Sequence, residues 1–331
     1  MRPTIITGWN VDGFDIPYLY NRAQQIVGKN IADCLSPVSK VYWNKYREKY
    51  MIAGVSCLDY LMLYKNFTFS SKPSYRLDDI GQSEVGTSKI SYDGTLNDLY
   101  ENHLEDFVKY NIHDVRIVKK LDDKLDFIDV ARGICHVGHV PYEDIVYDSR
   151  FLEGAILVYL KKLGVVAPNK TPRDDVKKDG KFAGAYVQDP QKGRHDWVYD
   201  LDITSMYPSI IMSLNVSPET KIGKVIGWDP EEFIRGKNKT YSIYMNDKKK
   251  GQFTEIELKE YFDNNQVSIS NNGIIYRTDK LGLIPTLLSE WFDKRTEYRK
   301  LAKKFSDEGD EDQAGYFNRR QHIQKIVLNS M

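Results

Sequence analysis

One stretch of the chain, VYDLDITSMYPSII at 198–211, constrains its possible folds more than any other. Its apolar start predicts a strand, on which Asp200 and Asp202 lie two residues apart and so share a face. Pro208 follows where a fixed φ suits the first turn of a helix. A carboxylate at a strand end, beside unbonded backbone N–H groups, can hold a metal ion together with a polyphosphate. An ordinary strand-to-helix turn has the same local pattern, so the aspartate and the turn alone leave both interpretations open.

The whole string from Asp202 onward, D-x-x-S-x-Y-P-S-I-I, resembles the first palm motif of family B DNA polymerases. The resemblance implies that Asp202 is a catalytic metal ligand and that Ser205 and Met206 contact the nucleotide. It implies that Tyr207 packs under the sugar and excludes a 2′-hydroxyl; a core tyrosine is the alternative. Asp200 remains a possible neighbour in an Asp-x-Asp pair.

Composition limits the classes of protein to consider. With 331 residues, of which 41% are hydrophobic, the chain is long enough for two or more domains with substantial cores. Lys and Arg together number 47, as do Asp and Glu, so any nucleic-acid binding must come from local basic clusters. Cys34, Cys57 and Cys135 form no C-x-x-C pair, which argues against a zinc site and fits a reducing cytosol. No apolar run is long enough to span a bilayer, and no membrane partner is expected.

The N-terminal residues predict a strand at 4–8, followed by a helix with Asp15 at its N-cap and Pro17 just inside. From the residues alone, Asp15 is a helix cap. The text Gly8-Trp9-Asn10, then Phe14-Asp15, resembles the second exonuclease motif of the same polymerases. This resemblance implies that Asp15 is a metal ligand.

A long helix is predicted over 96–128, on which Tyr110 and Asp114 share one face. Such a pair is more often a satisfied surface pair than a catalytic one. The spacing Y-x-x-x-D at this distance after Asp15 is similar to the third exonuclease motif, which implies that Asp114 holds metal and Tyr110 orients the attacking water. Two-metal phosphodiester hydrolysis uses Mg²⁺ held by oxygen ligands. The family's Asp-x-Glu pair is not found before Asp15, so we expect a partial metal site.

The middle of the chain predicts a connector from 129 that includes a helix at 151–163. The text KFAGA at 181–185 then resembles a short Y-x-G-A element that touches single-stranded template. The resemblance implies DNA contacts at Phe182 and Gly184. Phenylalanine replaces the family's tyrosine, so the expected contact is stacking on a base.

Two helices joined by a short charged tip are predicted from 282 to the last residue, and they should pack antiparallel. Arg295 and Lys325 each lie about fifteen residues from the tip, roughly 22 Å along the helix, so they should face each other. Arg299 and Asn329 extend the strip, which suits a triphosphate; a plain basic hairpin is the alternative. The two spacings, R-x-x-x-R and K-x-x-x-N-S, resemble the fingers motifs of the family.

The resemblance, closest to replicative polymerases of tailed phages, implies α/β and α+β domains in a fixed order. These are an RNase H-like 3′–5′ exonuclease domain (1–128), a connector (129–180), the first part of the palm (181–281) and the fingers helical hairpin (282–331). It implies a Mg²⁺-dependent DNA-directed DNA polymerase of phage replication that acts on primer–template DNA and dNTP in the infected bacterial cytoplasm.

We expect incomplete active sites and no activity from the chain alone. The expected partners are one or more complementary polymerase fragments, if the gene is split, and a sliding clamp bound through a C-terminal part. The alternatives are a self-standing RNase H-like 3′–5′ exonuclease and a non-catalytic DNA-binding subunit of a replisome.

Overall fold

The computed structural model describes residues 3–68, 70–169, 187–236, 239–245 and 248–330. The chain divides into two compact units, one formed by Met1–Ile156 with Glu290–Met331 and the other by Leu157–Ser289. Within the described ranges, no helix combines the length and apolar composition needed to cross a membrane.

The first unit begins with two short pairs of strands. Strand β1 (Ile5–Gly8) confirms the predicted first strand and pairs in parallel with β4 (Ser56–Asp59). The strands β2 (Val41–Asn44) and β3 (Lys49–Ile52) form an antiparallel hairpin between them in sequence. Buried apolar side chains from these strands and from the helices and turns around them form one core cluster: Val11, Ile16, Tyr20, Ala32, Val41, Ile52, Val55 and Cys57.

Short helices surround these strands. A single π-helical turn (Val11–Asp15) leads into the first of them. In chain order they are α1 (Ile16–Val27), α2 (Lys29–Ala32), α3 (Tyr60–Phe67) and α4 (Leu77–Val85). Strand β4 leads directly into α3, with no residue between them. Its consecutive buried side chains Cys57, Leu58 and Asp59 suit a strand covered on both faces.

The long helix predicted at 96–128 is wrong in its extent. The structure has α5 (Leu96–Asn102), α6 (Leu104–Leu125) and α7 (Phe127–Gly138) instead. His103, at φ −138° and ψ 52°, and Asp126, in the left-handed region at φ 54°, interrupt the helical path. Because α7 buries Val130, Ala131 and Ile134 on one side, residues expected in a connector are helical. Helix α8 (Asp148–Lys162) confirms the helix expected at 151–163.

The second unit contains an antiparallel sheet of five strands in the order β7-β6-β5-β9-β8. The strands are β5 (Lys221–Ile226), β6 (Tyr241–Met245), β7 (Lys248–Phe253), β8 (Val267–Ile269) and β9 (Ile274–Arg277). Helix α9 (Met206–Leu214) precedes the sheet, and α10 (Pro230–Ile234) and α11 (Glu255–Asn264) lie between its strands in sequence. Leu258 of α11 packs into the sheet's core with Val225, Tyr241, Ile243 and Ile275.

The predicted helical hairpin is confirmed as α12 (Leu283–Asp307) and α13 (Glu311–Asn329). At the tip, Asp310 accepts a hydrogen bond from the backbone N–H of Gln313 at 3.0 Å and so caps α13. The ring of Phe305 stacks on that of Phe317, with centroids 5.5 Å apart. Because this contact pairs the end of one helix with the start of the next, the helices run antiparallel.

Candidate nucleotide and metal sites

Asp15 lies at the N-cap position of α1, as predicted, with Pro17 in the first turn. Its side chain, however, accepts no hydrogen bond from the N–H groups of that turn, so its interpretation as a helix cap is wrong. Partial burial raises the pKa of the Asp15 carboxyl above its usual value. The carboxylate oxygens are therefore not committed to helix capping.

Asp59, which the sequence analysis missed, holds the turn that leads to Asp15. Its Oδ1 accepts hydrogen bonds from the backbone N–H groups of Asn10 at 2.9 Å and Leu61 at 3.0 Å. Its Oδ2 accepts from the N–H of Asp12 at 3.2 Å. Burial raises the pKa of the Asp59 carboxyl, which is 5% exposed. The sequence signal was an aspartate between an apolar strand and a helix, where it caps α3.

Tyr110 and Asp114 lie on one face of α6, as their spacing predicted, and both contact the side chain of Lys89. The ammonium of Lys89 lies 2.6 Å from Asp114 Oδ2 and 3.1 Å from the hydroxyl of Tyr110. The ring of Tyr92 meets that of Tyr110 edge-on, with centroids 5.3 Å apart. Lys89 was missed because it lies 25 residues before Asp114, and no local spacing connects the two. The ammonium of Lys89 thus links the Tyr110 hydroxyl to the Asp114 carboxylate.

The second carboxylate oxygen of Asp114 is a candidate metal ligand. Asp114 Oδ1 is buried and has no hydrogen-bond partner among the described residues. A desolvated carboxylate oxygen without a donor is costly unless a cation binds to it, so Asp114 fits one ligand position of a hard cation such as Mg²⁺. In the part of the chain that the structure describes, no three His, Cys, Asp or Glu side chains are grouped so as to hold one ion.

The strand predicted at the start of the palm-type stretch is wrong. Residues 187–203 form neither helix nor strand. Tyr199 is 85% exposed and Leu201 92% exposed, and Asp200 and Asp202 are exposed as well. A strand needs a neighbour for its backbone N–H and C=O groups. None of the strand pairings among the described residues includes this segment.

The turn and helix predicted after Asp202 are confirmed. Ser205 takes a left-handed conformation at φ 49°, and α9 begins at Met206. Pro208 is buried in the first turn, and the Ser209 hydroxyl donates to the carbonyl of Thr204 at 3.0 Å. Tyr207 is 64% exposed, so its interpretation as a core tyrosine is wrong. Its ring is accessible to a ligand.

Asn215, also missed, ties the end of α9 to the start of α12. Its Nδ2 donates to the carbonyls of Arg277 at 2.6 Å and Lys280 at 2.9 Å. Its Oδ1 accepts from the N–H of Gly282 at 2.8 Å. Asn215 is buried and left-handed at φ 54°, a conformation that asparagine tolerates better than most residues. The amide therefore holds the end of α9 against the backbone that leads into α12.

The hairpin brings the predicted basic residues together. Burial, together with the charge of Arg299, lowers the pKa of Arg295. Burial and the nearby charges of Lys325 and Arg295 lower the pKa of His322. His322 was missed because a single histidine among basic residues carries no spacing signal. Asn329 is exposed at the end of α13. A strip of positive charge, which we call the hairpin strip, is thus formed by Arg295, Arg299 and Lys325, with His322 beside it. The predicted contacts at Phe182 and Gly184 lie outside the described residues.

The fold of this chain has a counterpart among solved structures. The solved structure of the family B DNA polymerase from the hyperthermophilic archaeon Pyrobaculum calidifontis has a similar fold, with a TM-score of 0.65 and 21% identity. The likeness covers 99% of this chain and 38% of that one. The model of DNA polymerase family B matches residues 147–331, and that of the family's exonuclease domain matches residues 1–80. The chain therefore belongs to DNA polymerase family B.

Two phage proteins are similar to most of the chain. The DNA-directed DNA polymerase of Enterobacteria phage T4 is 34% identical over 93% of this chain and 32% of its own length. That of Escherichia phage RB69 is 33% identical over 90% of this chain and 31% of its own length. The chain thus spans about a third of these relatives. The resemblance to phage-type family B polymerases and the α/β and α+β fold class are confirmed, whereas the domain boundaries and residue roles remain predictions.

Proposed function

We propose that the chain carries substrate-binding and metal-binding residues of a DNA-directed DNA polymerase with 3′–5′ exonuclease activity. It would act in phage DNA replication in the cytoplasm of an infected bacterium. Membership of the family supports this proposal, as do the two phage relatives. The observation that carries it is the hairpin strip, where basic side chains from two antiparallel helices converge.

In the proposed synthesis site, the hairpin strip binds the triphosphate of a dNTP. Arg295 and Arg299 offer planar forks to phosphate oxygens, and Lys325 supplies a point charge. Asn329 extends the strip by one turn of α13. Tyr207 lies under the sugar and excludes a 2′-hydroxyl, which its exposed ring allows.

The start of α9 completes the proposed nucleotide contacts. Ser205 and Met206 present backbone N–H groups there, and a helix start favours negative charge. Asp202 is the proposed metal ligand on the synthesis side, and Phe182 with Gly184 the proposed contact with the template.

In the proposed excision site, Asp114 and Asp15 bind metal and Tyr110 orients the attacking water. Lys89 holds both the Asp114 carboxylate and the Tyr110 hydroxyl in place. Mg²⁺ in such sites stabilises the attacking and leaving oxygens of a phosphodiester. The orphaned Asp114 Oδ1 supports this assignment.

The proposed partners are primer–template DNA, dNTP and a polypeptide region that supplies further carboxylates to both sites. The proposal of such a polypeptide region is supported by the spread of the acidic residues. Among the described residues, no three potential metal ligands lie together. A complementary polymerase fragment would meet that need. Binding to a sliding clamp remains a prediction.

The hairpin strip can be tested by titrating the chain with dATP and Mg²⁺. Lys325→Ala and Arg295→Ala should each weaken binding by about tenfold, because each removes a charge-assisted contact to phosphate. Lys294→Ala is the matched control, since Lys294 is an exposed neighbour on α12 outside the strip. Equal losses of dATP affinity in all three variants would mean that only the overall positive charge matters, which would contradict the proposed site.

A further inference from the structure

A cleft of about 480 Å³ lies between α7 and the helical hairpin. The α13 residues that line it include Tyr316, Arg320 and Ile323. At 3.6 residues per turn, these three lie about 140–180° around the helix from Lys325. The cleft is therefore on the opposite side of α13 from the hairpin strip.

Close packing of α7 against α13 creates the cleft. Gly133 of α7 lies against the side chain of Ile323, and a Cβ on Gly133 would overlap the end of that side chain. A glycine at this position lets the two helices approach. The contact is reinforced by the guanidinium of Arg319, which pairs with Asp126 at 3.1 Å.

The charge in the cleft is concentrated on Arg320. Its guanidinium lies 4.7 Å from the ring centroid of Tyr316 and 5.8 Å from that of Tyr298. Arg132, on the α7 side, is paired with Asp129. Among the described residues, no carboxylate pairs with Arg320. A guanidinium stacked on aromatic rings keeps its N–H fork available at the edge.

Gln324 is a second and independent indication of a ligand. Its side chain lines the same cleft and is 5% exposed, and its Oε1 has no hydrogen-bond partner among the described residues. A buried amide oxygen without a donor costs free energy that a bound N–H group would recover.

We propose that this cleft is a second nucleotide-binding site. Arg320 binds the phosphate, the tyrosine rings contact the base, and Gln324 Oε1 accepts a hydrogen bond from an exocyclic amine of the base. The combination of a guanidinium fork, aromatic faces and one acceptor suits a nucleotide better than an inorganic anion or an apolar molecule. The volume lies within the range of roughly 300–1,000 Å³ typical of small-ligand pockets. The occupant is a free nucleotide or one unit of single-stranded DNA.

The test uses the full chain with isoleucine methyl groups labelled for NMR, so that Ile323 reports on the cleft. Titration with dAMP should shift the Ile323 methyl signal. Arg320→Gln should weaken binding by about tenfold or more, because it removes a charged donor to phosphate. The control Arg235→Gln changes an exposed arginine of the other unit and should leave the affinity unchanged. Gln324→Leu should weaken the binding of dAMP more than that of dTMP, since thymine lacks the exocyclic amine.

Further measurements distinguish between the possible ligands and between the two possible sites. Binding of oligo(dT) or oligo(dA) in preference to dAMP identifies single-stranded DNA as the occupant, and equal binding of dAMP identifies a free nucleotide. Lys325→Ala should preserve the Ile323 shift; its loss would place the nucleotide in the hairpin strip and overturn the second site. The proposal also fails if inorganic phosphate binds as tightly as dAMP, or if millimolar dAMP leaves Ile323 unshifted. None of these outcomes depends on whether the hairpin strip binds dNTP.

Discussion

Asp114 and Asp202 are both predicted metal ligands, yet the chain supports them very differently. Asp114 lies on α6, whose Ile117 and Leu121 are fully buried, and its carboxylate is held by Lys89 at 2.6 Å. Asp202 lies on an exposed segment without regular structure. A helix satisfies its own backbone hydrogen bonds and needs only an apolar face to pack. A strand cannot do so without a neighbour. Tyr110 and Asp114 are therefore positioned by packing within this chain, whereas no helix or strand in the described ranges holds Asp202 in place.

Hydrogen exchange should give the largest difference between the two regions. Backbone amides at the centre of α6 should exchange at least about a thousandfold more slowly than those at 198–203, because the helix must unfold before it exchanges. Exchange at 198–203 should approach the rate of an unstructured peptide. Strong protection there would show that the segment pairs with a strand, and the comparison would be wrong.

Substitution of the two aspartates should separate the two activities in an assembly that contains this chain, extends a primer and digests single-stranded DNA. Asp114→Asn should lower digestion at least about a hundredfold and spare extension, whereas Asp202→Asn should do the reverse. Each change removes one anionic metal ligand, and every ~1.4 kcal/mol of lost stabilisation is tenfold in rate.

The matched control for these substitutions is Asp123→Asn, which changes an exposed aspartate of α6 that pairs with Lys119. If both Asp114→Asn and Asp202→Asn lowered both activities equally, the assignment to two separate sites would be wrong. Loss of extension in Asp200→Asn, with Asp202→Asn unaffected, would transfer the ligand role to Asp200.

A smaller effect is expected from Glu84, which supports α6 from α4. Its carboxylate accepts hydrogen bonds from the Tyr64 hydroxyl at 2.7 Å, from Lys72 at 3.0 Å and from Lys124 at 3.1 Å. The Tyr64 hydroxyl and these ammonium groups lower the pKa of Glu84 to about 2. A depressed carboxyl pKa stabilises the fold at neutral pH, and this contribution is lost as pH falls from about 4.5 to about 2.

Glu84→Gln should therefore destabilise the chain by about 2 kcal/mol at pH 7. This is less than the roughly 3 kcal/mol that the whole pKa shift would give, because the side chain keeps some contact with solvent. The difference from the unsubstituted chain should shrink as pH falls through that range, as measured by denaturant unfolding. Glu101→Gln, at an exposed position, is the control. Faster hydrogen exchange in α6 of the Glu84→Gln variant, with no change in the exchange rate at 198–203, would sharpen the comparison. A loss of stability that does not depend on pH would contradict it.

The sequence by itself determined the features that depend on local pattern. The turn and helix after Asp202 follow from the turn residues and Pro208, and the antiparallel hairpin follows from two long helices with a short charged tip. Tyr110 and Asp114 share a face because residues four apart on a helix must do so. The family resemblance rests on such short patterns, which explains why it was found from the sequence.

Tertiary structure decided what depends on residues distant in the chain. Lys89 reaches Asp114, Asp59 holds the turn before Asp15, and Asn215 bridges α9 to α12, although no local spacing connects these partners. The strand expected around Asp202 failed for the same reason, since its apolar residues predict pairing but cannot supply the partner strand. Local propensity selects helices and turns because their hydrogen bonds close within a few residues. Strands and buried polar contacts form only where the fold brings a second segment alongside.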